Sequence, residues 1–434
     1  MRRPNSTRLT RRPVDSAAGA TRRALAEIRR SEPRVLAWTR IESDLAMSQA
    51  TAIDRDGASG PPLPLAGLTV GIKDIVDVAG MPTRAGFAPF DDRLATEDSA
   101  VAAGLRAAGA TIIGKTTTTQ FAVADPTVTR NPWNLERTPA GSSSGSAAAV
   151  AARHIDLAIG SQTAGSTLRP AAFCGVVGFK PSFGWISRTG MIPLADTLDT
   201  VGLMARSVAD IALMFDALAD TSLESVGSCE PLPPARIGIW SDAAQLAEPE
   251  VRALVDSALT RAIEAGAIVD EARPPAPYRD LLAVHHITML ADVAASHEKL
   301  FQRHPDAYGS RVRAFVETGM TIPGHTYVRA QMLRREFREK ALADWSSFDV
   351  VALPTAETPA PGLETTGSPS LQAVVTLFGL PSISLPAGLS PDGLPVGLQL
   401  VSTTMLGNAH LLRIARWMEG LLEPLPSTPA GIAD

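Results

Sequence analysis

LTVGIKD, residues 68–74, sets the frame for the chain. Leu68, Val70 and Ile72 fall on one side and Thr69, Gly71 and Lys73 on the other, the period-two alternation of a β-strand. Working outward, SAVAAGLRAA (99–108) reads as a helix closed by Gly109, and ATIIGKT (110–116) as a second short strand. HIDLAIG (154–160) is a third strand candidate, and Pro170 suits the first turn of a helix. Upstream, a charged helix is expected from near Thr21, interrupted at Pro33 and followed by a Gly/Pro-rich loop at 57–64. Downstream come the strand-like ARIGIW, FDVVALP, LPSISLPAG and LPVGLQLV, and the helix-like PEVRALVDSALTRAIEAG and NAHLLRIARWMEGLL. Strands and helices alternate without a fixed repeat, which predicts a layered α/β fold on a mixed sheet.

The composition excludes several classes. Of 434 residues, 45% are hydrophobic and 20% charged, enough apolar material for a large core. A formal net charge of −5 argues against a nucleic-acid partner, because a phosphate-binding surface needs excess Lys and Arg. No apolar run is long enough to span a membrane. Cys174 and Cys229 have no ligand-like spacing, so neither a disulfide framework nor a cysteine metal site is expected. The start, MRRPNSTRLTRRP, lacks the apolar segment of a secretory signal. Residues 1–20 read as a disordered basic tail, with an organelle-targeting peptide as the other reading, and the cytoplasm is the expected location. The oligomeric state is left open, a homodimer included.

Two motifs compete for attention. GATIIGKT (109–116) matches the phosphate-loop pattern letter for letter, but a helix precedes Gly109 where a strand is required, and Ile112 and Ile113 do not suit a tight anion nest. GSSSG (141–145) matches a nucleophile elbow around Ser143, but NPWNLERTPA before it has no strand pattern. His285, His286, His297, His304 and His325 read as surface residues rather than catalytic bases.

Four segments together resemble the amidase signature family: GLTVGIKDIVDVAGMPTRAG (67–86), NPWNLERTPAGSSSGSAAAVAA (131–152), GSQTAGSTLRPAAFCGVVGFKPS (160–182) and SRTGMIPLADTLDTVG (187–202). GLPSISLPAG and GLPVGLQLV near the C-terminus fit as well. The resemblance implies a single α/β/α domain over residues 21–430, with a central mixed, mostly parallel sheet covered by helices on both faces. Within it, 221–330 is the variable, substrate-specificity region. The implied activity is amide hydrolysis without metal or organic cofactor. Residue by residue, the family's base falls on Lys73, its bridging serine on Ser142 in a cis peptide after Gly141, and its nucleophile on Ser166.

The chemistry supports those roles. A serine hydroxyl attacks only once its proton is removed. A lysine can remove it only when neutral, which costs about 4–5 kcal/mol at pH 7 from the reference pKa, and burial lowers that cost. Backbone N–H groups of Thr163, Ala164, Gly165 and Ser166, between a strand and a helix start, can form an oxyanion hole. The sequence departs from the family where Ala164 and Ala140 replace glycines and where Gln162 replaces a frequent Asp. The spacing Ser166-x-x-Arg169-Pro170 resembles the bacterial malonamidase branch, which implies that Arg169 holds a substrate carboxylate. Pairing of Arg169 with Asp196 or Asp199 is the other reading. The expected function is an amidohydrolase acting on a small, optionally carboxylated amide. The alternative is an amidotransferase component that passes ammonia to a charged tRNA held by partner chains, and a phosphate-loop nucleotide-binding protein is the remote one.

Overall fold

The computed structural model describes residues 16–57, 63–219, 226, 232 and 235–433. Most of the expected N-terminal tail, the middle of the 57–64 loop and Cys229 lie outside the described residues. The strands are β1 (Trp38–Ile41), β2 (Thr69–Lys73), β3 (Thr111–Thr116), β4 (Leu157–Gln162), β5 (Val177–Lys180) and β6 (Thr200–Ala205). They continue with β7 (Arg236–Ile239), β8 (Ile268–Glu271), β9 (Val350–Pro354), β10 (Ser382–Leu389) and β11 (Pro395–Ser402). All join one sheet in the order β1-β3-β2-β4-β6-β5-β10-β11-β9-β7-β8.

The sheet is mixed, but six of its ten pairings are antiparallel, which corrects the expected mostly parallel arrangement. The parallel trios β3-β2-β4 and β9-β7-β8 lie toward the two ends. Between them every pairing, β4–β6, β6–β5, β5–β10, β10–β11 and β11–β9, is antiparallel. The clearest case is the hairpin β10–β11, whose turn contains Asp392-Gly393, with Gly393 at φ 75°.

Adjacent residues of one strand enter opposite layers. Ile112, Ile159 and Leu203 join the core beneath the helices Ala100–Ala107, Val208–Leu218 and Asn408–Glu419. Ile113, Ala158 and Met204 join a second core with the helices Ala17–Val35 and Ser144–Ala151. The sheet is therefore covered on both faces, and all five residues of β2 are buried. The first helix starts at Ala17, capped by Ser16, four residues before the expected start, and runs through Pro33 to Val35. Pro33 stands in the last turn, so little helix follows the kink it would cause. Among the described residues no helix is long and apolar enough to cross a membrane.

The phosphate-loop letters resolve as structure. Gly109 ends the helix Ala100–Ala107 at φ 86°, and 111–116 is β3. Lys115, buried, pairs with buried Asp74 at 3.0 Å and donates to Thr83 Oγ1 at 2.9 Å and to the Pro82 carbonyl. That ammonium is committed to a carboxylate and cannot serve a phosphate.

Candidate active site

β2 lies between β3 and β4, which carries its last residue, Lys73, into the interior with no exposure. Lys73 Nζ is 2.6 Å from Ser142 Oγ and 2.8 Å from Ser161 Oγ. Among the described residues it has no carboxylate within salt-bridge distance. Burial drives its pKa well below the ordinary lysine value, opposed by the more distant charge of Asp199.

Ser142 follows a cis Gly141–Ser142 peptide, the isomer implied by the family resemblance. Gly141 is needed there for space: a Cβ would stand 2.9 Å from Thr119 Cγ2 and from Thr366 Cγ2. Ala140 adopts φ 66° where the family has glycine, a conformation that disfavours a Cβ. The other serines of GSSSG pin the loop. Ser144 Oγ donates to the Ala140 carbonyl at 2.7 Å, and Ser143 Oγ accepts from Ser161 N–H at 3.2 Å. Ser143 stands at the cap position of the helix Ser144–Ala151 without a capping side-chain bond, and no strand precedes it, so the nucleophile-elbow geometry is absent among the described residues.

Thr163 to Thr167 link β4 to the short helix Leu168–Phe173. Ser143 N–H donates to the Ser166 carbonyl at 3.3 Å, which ties the two serine loops together. Ser166 Oγ itself makes no hydrogen bond among the described residues. The structure thus joins Lys73 to Ser142 side chain to side chain, and joins Ser166 to that pair through backbone. The N–H groups of Ala164, Gly165 and Ser166 likewise have no protein acceptor among the described residues, as an oxyanion hole requires. Ala164 does not adopt positive φ, so its Cβ does not strain the backbone of this loop. Gln162 acts as a cap: its Oε1 accepts from Thr167 and Leu168 N–H, both at 3.0 Å.

Arg169 is buried in the helix Leu168–Phe173 and pairs with neither Asp196 nor Asp199. Its Nη2 donates to the Gly141 carbonyl at 2.8 Å, while Nε and Nη1 have no partner among the described residues. Burial lowers its pKa to about 10, against the attraction of Glu357. Asp196 pairs instead with Arg188. Asp199 accepts from Thr163 Oγ1 at 2.5 Å and from Leu194 and Ala195 N–H, while burial raises its pKa to about 6 against those bonds.

Sequence reasoning missed Ser161 as a partner of Lys73 and Asp199 as the holder of Thr163. The signals were present in GSQTAGS (160–166) and TLDTVG (197–202), but a hydroxyl and a carboxylate near a turn are too common to single out. The histidines need correction too. His286, His304 and His325 are exposed, but His285 and His297 are buried, because they lie on the inner face of the helix Tyr278–Arg303.

A buried amine held by hydroxyls, beside a loop of open backbone N–H donors on a layered α/β sheet, defines an enzyme that acts on amide C–N bonds. A family model described as Amidase matches residues 19–408, and the chain belongs to that family, the amidase signature family. A relative from a Cyanothece species, one of the subunits of its glutamyl-tRNA(Gln) amidotransferase, is 33% identical over 90% of this chain and 92% of its own length. Among solved structures, a chain described with a vestigial protein complex and the origins of an s-triazine catabolic enzyme superposes with a TM-score of 0.87. It has 28% identity and covers 95% of this chain and 97% of that one. A 6-aminohexanoate cyclic dimer hydrolase superposes with a TM-score of 0.84 at 25% identity, over 96% of each chain.

Proposed function

We propose that this chain cleaves a carboxamide through a seryl acyl-enzyme on Ser166, with Ser142 relaying the proton to a neutral Lys73. The observation that carries the proposal is the buried Lys73 amine, whose bonded partners are the hydroxyls of Ser142 and Ser161 rather than a carboxylate. In the first step Ser166 Oγ passes its proton to Ser142 Oγ as Ser142 passes its own to Lys73 Nζ. The freed Oγ attacks the carbonyl carbon, and the oxygen that becomes negative lies against the N–H groups of Ala164, Gly165 and Ser166. Such donors are worth about 3–4 kcal/mol each. Collapse breaks the C–N bond, and the proton returns through Ser142 to the leaving nitrogen. Water then attacks the ester carbonyl as its proton passes through Ser142 to Lys73, and collapse breaks the bond to Ser166 Oγ, which takes that proton back through Ser142 and releases the acid.

The unfilled Nε and Nη1 of Arg169 support a substrate with a carboxylate on its acyl portion. A buried guanidinium with idle donors is costly, and a carboxylate can accept two parallel bonds. The finer placement in a malonamidase-like branch rests on this arginine spacing alone.

The fate of the ammonia divides two readings with the same chemistry. The relatives named as glutamyl-tRNA(Gln) amidotransferase subunits, at 31–33% identity over nine-tenths or more of this chain, favour a component that hands ammonia to a partner complex. The likeness to a cyclic dimer hydrolase favours release to water. Of the two, the sequence relatives weigh toward the amidotransferase component. The net charge of −5 favours any tRNA being held by partner chains. Purification of the tagged chain from its native cell, followed by ammonia assays on glutamine and on monoamides of dicarboxylic acids, separates them. Stoichiometric partners with low free activity identify the amidotransferase component, and a solitary chain with full turnover identifies the hydrolase.

A further inference from the structure

The helix Tyr278–Arg303 lies in the stretch expected to vary with substrate, but its buried face grips the loops of the active site. His285 has no exposure, and its Nε2 is 3.0 Å from the Thr163 carbonyl oxygen. A carbonyl only accepts, so Nε2 carries the proton and Nδ1, which has no partner among the described residues, is bare. Burial lowers the pKa of His285 to about 4, which keeps the ring neutral through the ordinary working range. Two turns along the same helix, Asp292 Oδ2 accepts from Thr197 N–H at 3.0 Å and from Thr197 Oγ1 at 2.6 Å. The loop so anchored carries Asp199, which accepts from the Thr163 hydroxyl. Thr163 is therefore fixed twice, by its side chain and by its carbonyl.

A carbonyl and the N–H that follows it belong to one planar unit and, in a trans peptide, point in opposite directions. The bond from His285 to the Thr163 oxygen thus sets the direction of Ala164 N–H. The next unit is held the same way: Thr376 Oγ1, on the helix Ser370–Phe378, donates to the Ala164 carbonyl at 2.7 Å and so sets Gly165 N–H. We infer that His285 and Thr376 are positioning residues that aim the Ala164 and Gly165 N–H groups at the developing oxyanion, so that the helix Tyr278–Arg303 tunes the rate through the nest. The inference rests on the acyl-enzyme reading of Ser166.

The test is the labelling of the full chain by an alkyl fluorophosphonate, mapped by mass spectrometry, with the maximal labelling rate and the probe affinity determined separately for each variant. The expected result is Ser166 labelling that slows by about 10–100-fold in His285→Leu and Thr376→Val, at unchanged affinity. His285→Gln, whose terminal amide reaches the Nε2 position, should recover to within about threefold, whereas the shorter His285→Asn should not. Melting temperatures of all variants are recorded, and if His285→Leu does not fold, the contrast of Gln with Asn decides the matter. Labelling of His285→Leu at the wild-type rate, or equal loss in Gln and Asn, would overturn the inference while leaving Ser166 as nucleophile. Absence of label at Ser166 in the wild-type chain would overturn the acyl-enzyme reading and the inference with it.

Discussion

In the proposed mechanism Lys73 works only without its proton, and its surroundings decide how hard that is. Burial disfavours the ammonium form, so its pKa lies well below the ordinary value. kcat/KM should therefore rise with pH through that lowered pKa and level off above it, in a pH–rate profile of the wild-type chain. A rise seen only near the ordinary lysine range would mean a solvated amine. The same shift makes stability rise with pH between the lowered and the ordinary pKa, because the unfolded chain binds the extra proton there. Lys73→Met should flatten that slope in urea titrations run across the window. Ser166→Ala and Lys73→Ala should each cut turnover by a similar large factor, on the order of 10³ or more, and the double variant should be little worse, since the groups act as a unit. The proximity of Lys73 and Ser142 was legible, and Ser166 could be proposed beside them, because three short motifs occur together at consistent spacing. Ser161 was not, since its role comes from the β2–β4 register that sets it beside Lys73 Nζ.

At the level of elements, β3 shows how letters mislead when context is ignored. GATIIGKT is a helix cap followed by a strand, and its lysine is one half of a buried ion pair with Asp74. Breaking one half of such a pair leaves the other charge stranded, so Lys115→Met should cost about 3–5 kcal/mol in denaturant unfolding. The double variant Asp74→Leu with Lys115→Met should recover much of that loss, whereas an additive loss would show that the pair is not what links these strands. Helix starts and strands with clean alternation were readable to within a few residues: Ser99 caps its helix, and ARIGIW, FDVVALP and LPVGLQLV are all strands. The direction of the strands was not readable, because it depends on which strands are neighbours. One signal was present: SPDG between LPSISLPAG and the next strand is a turn sequence, and it makes β10–β11 an antiparallel hairpin.

Across the whole molecule, the single sheet brings segments from distant parts of the chain to one place. β2 carries Lys73, the loop after Ala140 carries Ser142, and the loop after β4 carries Ser166 and the open backbone N–H groups, the proposed amine, relay, nucleophile and nest. The 278–303 helix, to which no motif assigns a role, closes the arrangement through Thr163 and Thr197. The family likeness extends over residues 19–408 and fixes the reaction class, action on an amide C–N bond. The most direct measurement is mass-spectrometric trapping of the acyl-enzyme from a small amide quenched in acid. A mass increase equal to the acyl group on the peptide carrying Ser166, absent in Ser166→Ala and strongly reduced in Lys73→Ala, is the predicted result. An acyl group on Ser143, or full acylation of Ser166 without the Lys73 amine, would contradict the account.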